Sequence, residues 1–130
     1  GSNSAALLSY GSGKAGSNGV PLLTANAAPV LGSQVQLQIS QIMSSSPLYL
    51  LFGDASNSLA FDGAELLVDY TKVYNLSSDV NGNASMQGTV PSNSALIGKS
   101  YYWQAWVRND PAASGAGWSC SNGLQTILGL

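Results

Sequence analysis

The chain has 130 residues, 45% of them hydrophobic and only 8% charged, with a net charge of −2 and no histidine. That length suits one sandwich or barrel domain, and solubility rests on Ser, Asn, Gln, Thr and Gly, because charged residues fall well below the usual ~25%. Four scattered cations, Lys14, Lys72, Lys99 and Arg108, exclude the clustered Lys and Arg that nucleic-acid binding needs; no apolar run approaches the ~20 residues that span a bilayer; and the lack of histidine removes Ser-His-Asp and Cys-His catalysis and histidine-ligated metals.

Gly1 and Ser2 read as a cloning remnant, which leaves room for an excised signal peptide. Residues 1–18 are rich in Gly and Ser and read as an N-terminal arm, either flexible or added as a strand to a sheet edge of this copy or another. Its GSGKAGS segment lacks the Gly-x-x-x-x-Gly-Lys-Ser/Thr spacing and precedes no helix, so it is a loop rather than a phosphate cradle. Residues 19–130 form the domain proper. Gly19–Ala27 is a first candidate strand. Gln34–Ser40 (QVQLQIS) follows, with Val35, Leu37 and Ile39 inward and Gln34, Gln36 and Gln38 outward, a half-buried strand. Pro47–Phe52 (PLYLLF) and Glu65–Tyr70 (ELLVDY) are denser in apolar residues and are placed mid-sheet. Between them Asp54–Gly63 reads as a long loop.

Asp62, Glu65 and Asp69 raise the question of a two-carboxylate glycosidase. Glu65 and Asp69 fall on one strand face about 13–14 Å apart at strand rise, too far for a pair that must flank one bond, and ordinary surface charge is the simpler reading. Thr71–Leu76 is another strand. Asp79-Val80-Asn81-Gly82-Asn83 then places Asn-Gly between two alternating runs, the signal of a hairpin turn. Its Asp-x-Asn-x-Asn spacing resembles the start of a calcium loop, but Gly82 stands at loop position four instead of six and Val90 where a bidentate Glu is needed. Asn83–Val90 (NASMQGTV) alternates with Ala84, Met86, Gly88 and Val90 inward, and Pro91 ends it.

Ser100–Arg108 (SYYWQAWVR) carries the most information. Alternation puts Tyr101, Trp103, Ala105 and Val107 on one face, which reads as core, and Tyr102, Gln104, Trp106 and Arg108 on the other. The second set is a strip of aromatic, amide and guanidinium groups that can stack on a sugar, a partner or a neighbouring copy, unless a loop or the arm covers it. Asn109–Gly117 is a loop, and Trp118 beyond it rims the site or closes one end of the core. Cys120, the lone cysteine, cannot form an internal disulfide and reads as a small buried apolar side chain. Gly123–Leu128 completes an all-β antiparallel sandwich of about eight strands, Ig-like or jelly-roll.

Three stretches, Tyr10–Gly19 (YGSGKAGSNG), Ala28–Gly32 (APVLG) and Val90–Gly98 (VPSNSALIG) followed by the aromatic strand with Gln104, give the chain a likeness to a known group. It resembles a β-sandwich domain found near the C-termini of exported planctomycete and other environmental bacterial proteins. The resemblance implies an accessory or surface domain. That group often has a cysteine where Lys14 stands and another where Gly63-Ala64 stands, so a disulfide pinning the arm to the sheet is implied to be missing here.

The expectation is therefore a non-catalytic, secreted or cell-surface recognition or attachment module, without cofactor, metal site or catalytic residues. Its partner is a polysaccharide or cell-surface glycan bound by Tyr102, Gln104, Trp106, Arg108 and Trp118, with the Gln34, Gln36 and Gln38 row as a second polar face. The alternative is a structural or adhesive subunit of a fibre, surface layer or stalk, whose partners are copies of itself.

Overall fold

The alternation in Gln34–Ser40 does what period two requires: Val35, Leu37 and Ile39 are buried while Gln34 and Gln38 face solvent. The computed structural model describes residues 3–130; Gly1 and Ser2, and with them the reading of a cloning remnant, lie outside the described residues. Among the described residues eleven strands are present rather than about eight, and every pairing between them is antiparallel. The large sheet runs β1 (Ala6–Tyr10), β11 (Gly123–Ile127), β9 (Ser100–Val107), β4 (Pro47–Gly53), β7 (Lys72–Ser77), with the two-residue β10 (Ser119–Cys120) also paired to β9. A second sheet of three strands runs β2 (Leu22–Ala25), β3 (Gln34–Ser40), β8 (Ala84–Thr89). A hairpin, β5 (Ala55–Phe61) and β6 (Ala64–Asp69), stands apart from both.

The large sheet is covered on both faces. Against the three-stranded sheet it packs a core of Leu23, Leu37, Ile39, Leu48, Leu50, Ala105, Val107 and Leu124; against the hairpin it packs Leu51, Val68, Trp106 and Cys120. The antiparallel sandwich thus carries a third, smaller layer. β4 sits in mid-sheet as its apolar run predicts, with Leu50 on one face and Leu51 on the other. Glu65–Tyr70 does not: its apolar residues are covered because the hairpin lies flat on the sheet, not because β6 is a central strand.

Two more expectations change. Asp54–Gly63 is a strand, β5, turned into β6 by Asp62-Gly63, both at positive φ (49° and 76°), the conformation that Asp-Gly hairpin turns adopt. Asp79–Asn83 is a tight turn, but it passes the chain from β7 in the large sheet to β8 in the small one and so closes no hairpin. One Asp79 carboxylate oxygen accepts from the Asn81 and Asn83 N–H groups, 2.9 Å each.

The N-terminal arm adds to an edge of its own sheet: β1 pairs with β11 from Ala6↔Ile127 to Tyr10↔Gly123. A boundary at residue 18 therefore does not separate two packing units. Two buried amides then clamp the layers. Asn122 accepts from Leu23 N–H (2.9 Å) and donates to Leu23 C=O (3.1 Å), fixing β2 of the small sheet. Gln104 does the equivalent on the opposite face.

Candidate functional site

The strip Tyr102, Gln104, Trp106 and Arg108 lies on one face of β9 as alternation requires, but that face is not open. Gln104 is fully buried and Trp106 is only 4% exposed. The hairpin, whose first strand reads as loop from its sequence, covers them. Gln104 acts as a short piece of strand: its Oε1 accepts from Leu67 N–H (2.9 Å) and its Nε2 donates to the carbonyls of Glu65 and Ser121 (3.0 Å each). With every polar atom satisfied by protein, it has nothing left to offer a ligand. Tyr102 is half-buried, edge-on to Tyr10 at 6.0 Å. The Tyr10 hydroxyl donates to Leu67 C=O at 2.6 Å, and burial, with Tyr102 beside it, pushes its pKa up to about 12.

What remains open lies next to the hairpin, where it stops short of β4 and β7. There Tyr49, Leu51, Phe61, Leu66, Tyr70, Val73, Trp106 and Trp118 line an apolar groove of about 390 Å³. Phe61, Trp106 and Trp118 form an edge-to-face triad with centroids 5.5, 5.6 and 6.0 Å apart, within the range such pairs prefer. Tyr49 leans on Trp118 at 6.1 Å, and the Arg108 guanidinium lies 5.7 Å from the Trp118 ring. Phe61 and Tyr70 are close to half exposed, at 46% and 48%. Trp106 Nε1 is the one buried side-chain polar atom among the described residues without a hydrogen-bond partner. Of the five residues expected to bind, the groove thus brings together Trp106 as wall, Trp118 as rim and Arg108 beside it; Tyr102 and Gln104 lie beneath the hairpin.

A charged scaffold holds the rim. Asp62, in the hairpin turn, accepts from Ala116 N–H (2.8 Å), Trp118 N–H (3.2 Å) and Lys14 Nζ (3.1 Å). The Ala116 N–H, then Lys14 and the Trp118 N–H, hold its carboxyl below the usual range against the opposing effect of burial. Lys14 also donates to the carbonyls of Asp62 (2.6 Å) and Ser114 (2.7 Å). The Lys14–Asp62 ion pair ties the arm to the hairpin. The Asn109–Gly117 loop, as expected irregular, is pinned from its other end by Asp110, which is fully buried and accepts from Ser17, Ala112 and Ser119.

Cys120 is fully buried, as its reading as an apolar side chain requires, and burial pushes its thiol up to about 11 despite Lys14 nearby. A thiolate is the reactive form. Native protein at pH 8 is expected to resist a thiol-labelling reagent for as long as it stays folded, and to label stoichiometrically in denaturant; fast labelling of native protein would contradict the burial.

The second polar face is real: Gln87 Nε2 donates to Gln34 (2.8 Å) and Gln38 Nε2 to Gln36 (3.3 Å) across the outside of the small sheet. A polar cleft of about 650 Å³ lies beside Gln36 and Gln38, between Thr24, Asp79 and Asn83, but no aromatic plane lines it. Sequence reasoning missed Tyr49, Phe61 and Tyr70 because each sits on a different element. The available signal was Phe61 directly before Asp-Gly, an exposed aromatic beside a turn. No family model matches this chain, and no curated protein matches it.

Proposed function

We propose that the chain is a non-catalytic recognition or attachment module of the cell surface or extracellular space, binding a polysaccharide or glycoconjugate in the groove between the hairpin and β7. The observation that carries this reading is the open row of Phe61, Trp118, Tyr49 and Tyr70 with Arg108 at its end. Ring faces cover the apolar C–H face of a sugar, while guanidinium and phenol groups bond its hydroxyls. The nearby carboxylates favour binding over hydrolysis: Asp62 is engaged by Lys14 and two backbone N–H groups, and Glu65 accepts from Ser58 at 2.5 Å. The low charge and Ser/Asn-rich surface agree with an extracellular setting. No described helix is long and apolar enough to cross a membrane.

The test is a glycan array probed with wild type, Tyr70→Ala and Trp118→Ala, with the mass of each checked by light scattering. Binding is expected to weaken about tenfold in each variant, the scale of one lost stacking contact, while Tyr70→Ala melts like wild type because its ring is exposed. Equal binding by all three proteins would remove the groove from the reading. The structural or adhesive subunit is a second reading, favoured by the unpaired outer edge of β7, which exposes Val73 beside Tyr70. No glycan bound, together with mass rising with concentration, would establish that alternative.

A further inference from the structure

The two sheets do not close on each other along their whole length. At the end where β7 and β9 begin, an apolar crevice of about 500 Å³ separates Val35, Met86 and Gly88 of the small sheet from the large one. Its floor is a continuous row of rings across three strands: Tyr101 stacks on Phe52 (5.2 Å, 22°), Phe52 leans on Trp103 (4.6 Å), and Trp103 lies over Tyr74 (6.2 Å, 25°). The row follows from register, since Phe52 faces Trp103 across β4 and β9, and Tyr74 faces Leu50 across β7 and β4. The gap follows from Gly88. It pairs with the inward-facing Val35, so a side chain there would point into the crevice, and a Cβ would meet nothing within 4 Å.

The indole of this space is satisfied internally: Trp103 Nε1 donates to Thr126 Oγ1 (3.1 Å), and that hydroxyl donates to Tyr101 C=O (3.2 Å). An apolar crevice favours hydrocarbon over water, and its size falls in the range of small-ligand pockets. Charge singles out the occupant further. Lys72 Nζ lies 4.8 Å from the centre of the Tyr74 ring and Lys99 Nζ 5.8 Å from that of Tyr101. Both are exposed and neither is in an ion pair, Lys14 holding the one salt bridge among the described residues. Half of the chain's four cations thus stand at the two ends of an aromatic trough that has no charge of its own, Lys99 at the Tyr101 end and Lys72 at the Tyr74 end.

We propose that the crevice binds the alkyl tail of a long-chain fatty acid, lying along the Tyr101–Phe52–Trp103–Tyr74 row, with the carboxylate held by Lys99 at the Tyr101 end or, in the reversed orientation, by Lys72 at the Tyr74 end. This site is separate from the glycan groove, which lies on the other face of the large sheet, and it stands or falls independently of that reading.

The test is titration with cis-parinaric acid, read by its own fluorescence, followed by displacement with oleate below its micellar concentration and with the neutral oleyl alcohol. Wild type is expected to bind saturably at one site, with oleate displacing at least about tenfold more effectively than the alcohol. Gly88→Phe fills the crevice from a backbone position that accepts a side chain, and is expected to lose binding about a hundredfold with an unchanged unfolding midpoint. Should that variant fold poorly, Lys72→Glu/Lys99→Glu changes only exposed side chains and is expected to abolish the preference for oleate over the alcohol. Non-saturable or absent binding by wild type, undiminished binding by folded Gly88→Phe, or an intact oleate preference in the double variant would each overturn the proposal.

Discussion

Replacing Gln104 with Leu is expected to destabilise the protein by about 4 kcal/mol, because three main-chain groups lose their partner and each stranded buried group costs about 1–3 kcal/mol. Those groups are Leu67 N–H and the carbonyls of Glu65 and Ser121. Leucine fits the volume, so the loss isolates hydrogen bonding from packing. Two of the three groups belong to β6, so the effect is local before it is global. Amide hydrogen exchange in β5 and β6 is expected to accelerate far more than in β3 or β8, on the other side of the large sheet. Chemical denaturation gives the size of the loss, and exchange gives its place. A loss under about 1 kcal/mol, or exchange raised evenly through the molecule, would show that the hairpin is held by Trp106, Leu51 and Val68 packing and not by the amide.

The same residue shows what the sequence made legible and what it did not. Strand β3 is visible because it is buried on one face, and β8 because Ala84 and Met86 are partly covered while its other side chains face solvent; covering one face writes period two into the chain. β9 is visible by the same rule, and its division into two faces holds: Trp103, Ala105 and Val107 join one core, Trp106 the other. What lies above each face is not local information. β5 (ASNSLAF) has solvent on nearly all of its side chains, so it carries no alternation to read, and a loop is the natural reading. Once β5 is missed, nothing signals that β6 folds back over Tyr102, Gln104 and Trp106, and an amide between aromatics reads as a ligand contact. Arg108 and Trp118 were recognisable because a cation and an indole near a loop keep their chemistry wherever the loop lies. The Lys14–Asp62 pair and the Asn122–Leu23 clamp join residues 48 and 99 positions apart, and no spacing rule reaches that far.

Asp110→Ala is expected to cost a further large amount, about 4 kcal/mol, through the loss of charge-assisted hydrogen bonds worth about 1.5–3 kcal/mol each before the vacated site relaxes. One carboxylate oxygen accepts from the Ser17 hydroxyl (2.6 Å), Ser17 N–H (3.0 Å) and Ala112 N–H (3.1 Å); the other accepts from Ser17 N–H (2.9 Å) and Ser119 Oγ (3.3 Å). The fit leaves no room at Gly16, where a Cβ would strike the carboxylate. Burial alone would push this carboxyl up, but the donors from Ser17, Ala112 and Ser119 outweigh it and hold the group below its ordinary value. A carboxyl depressed in the folded state stabilises fully above the unfolded value of about 3.9, and that stabilisation is lost as pH falls through the lower folded value. Stability is therefore expected to be flat from pH 7 to about 5 and to drop below about 4, with Asp62, depressed in the same direction, contributing to the drop. Asp110→Asn keeps the shape of the side chain and one acceptor while removing its titration. Denaturation midpoints measured from pH 7 to 2.5 are expected to start lower in this variant and to fall less steeply in acid than in wild type. Parallel wild-type and Asp110→Asn curves would mean that Asp110 does not bind its proton differently on folding, and that the loop and the arm are joined by packing alone.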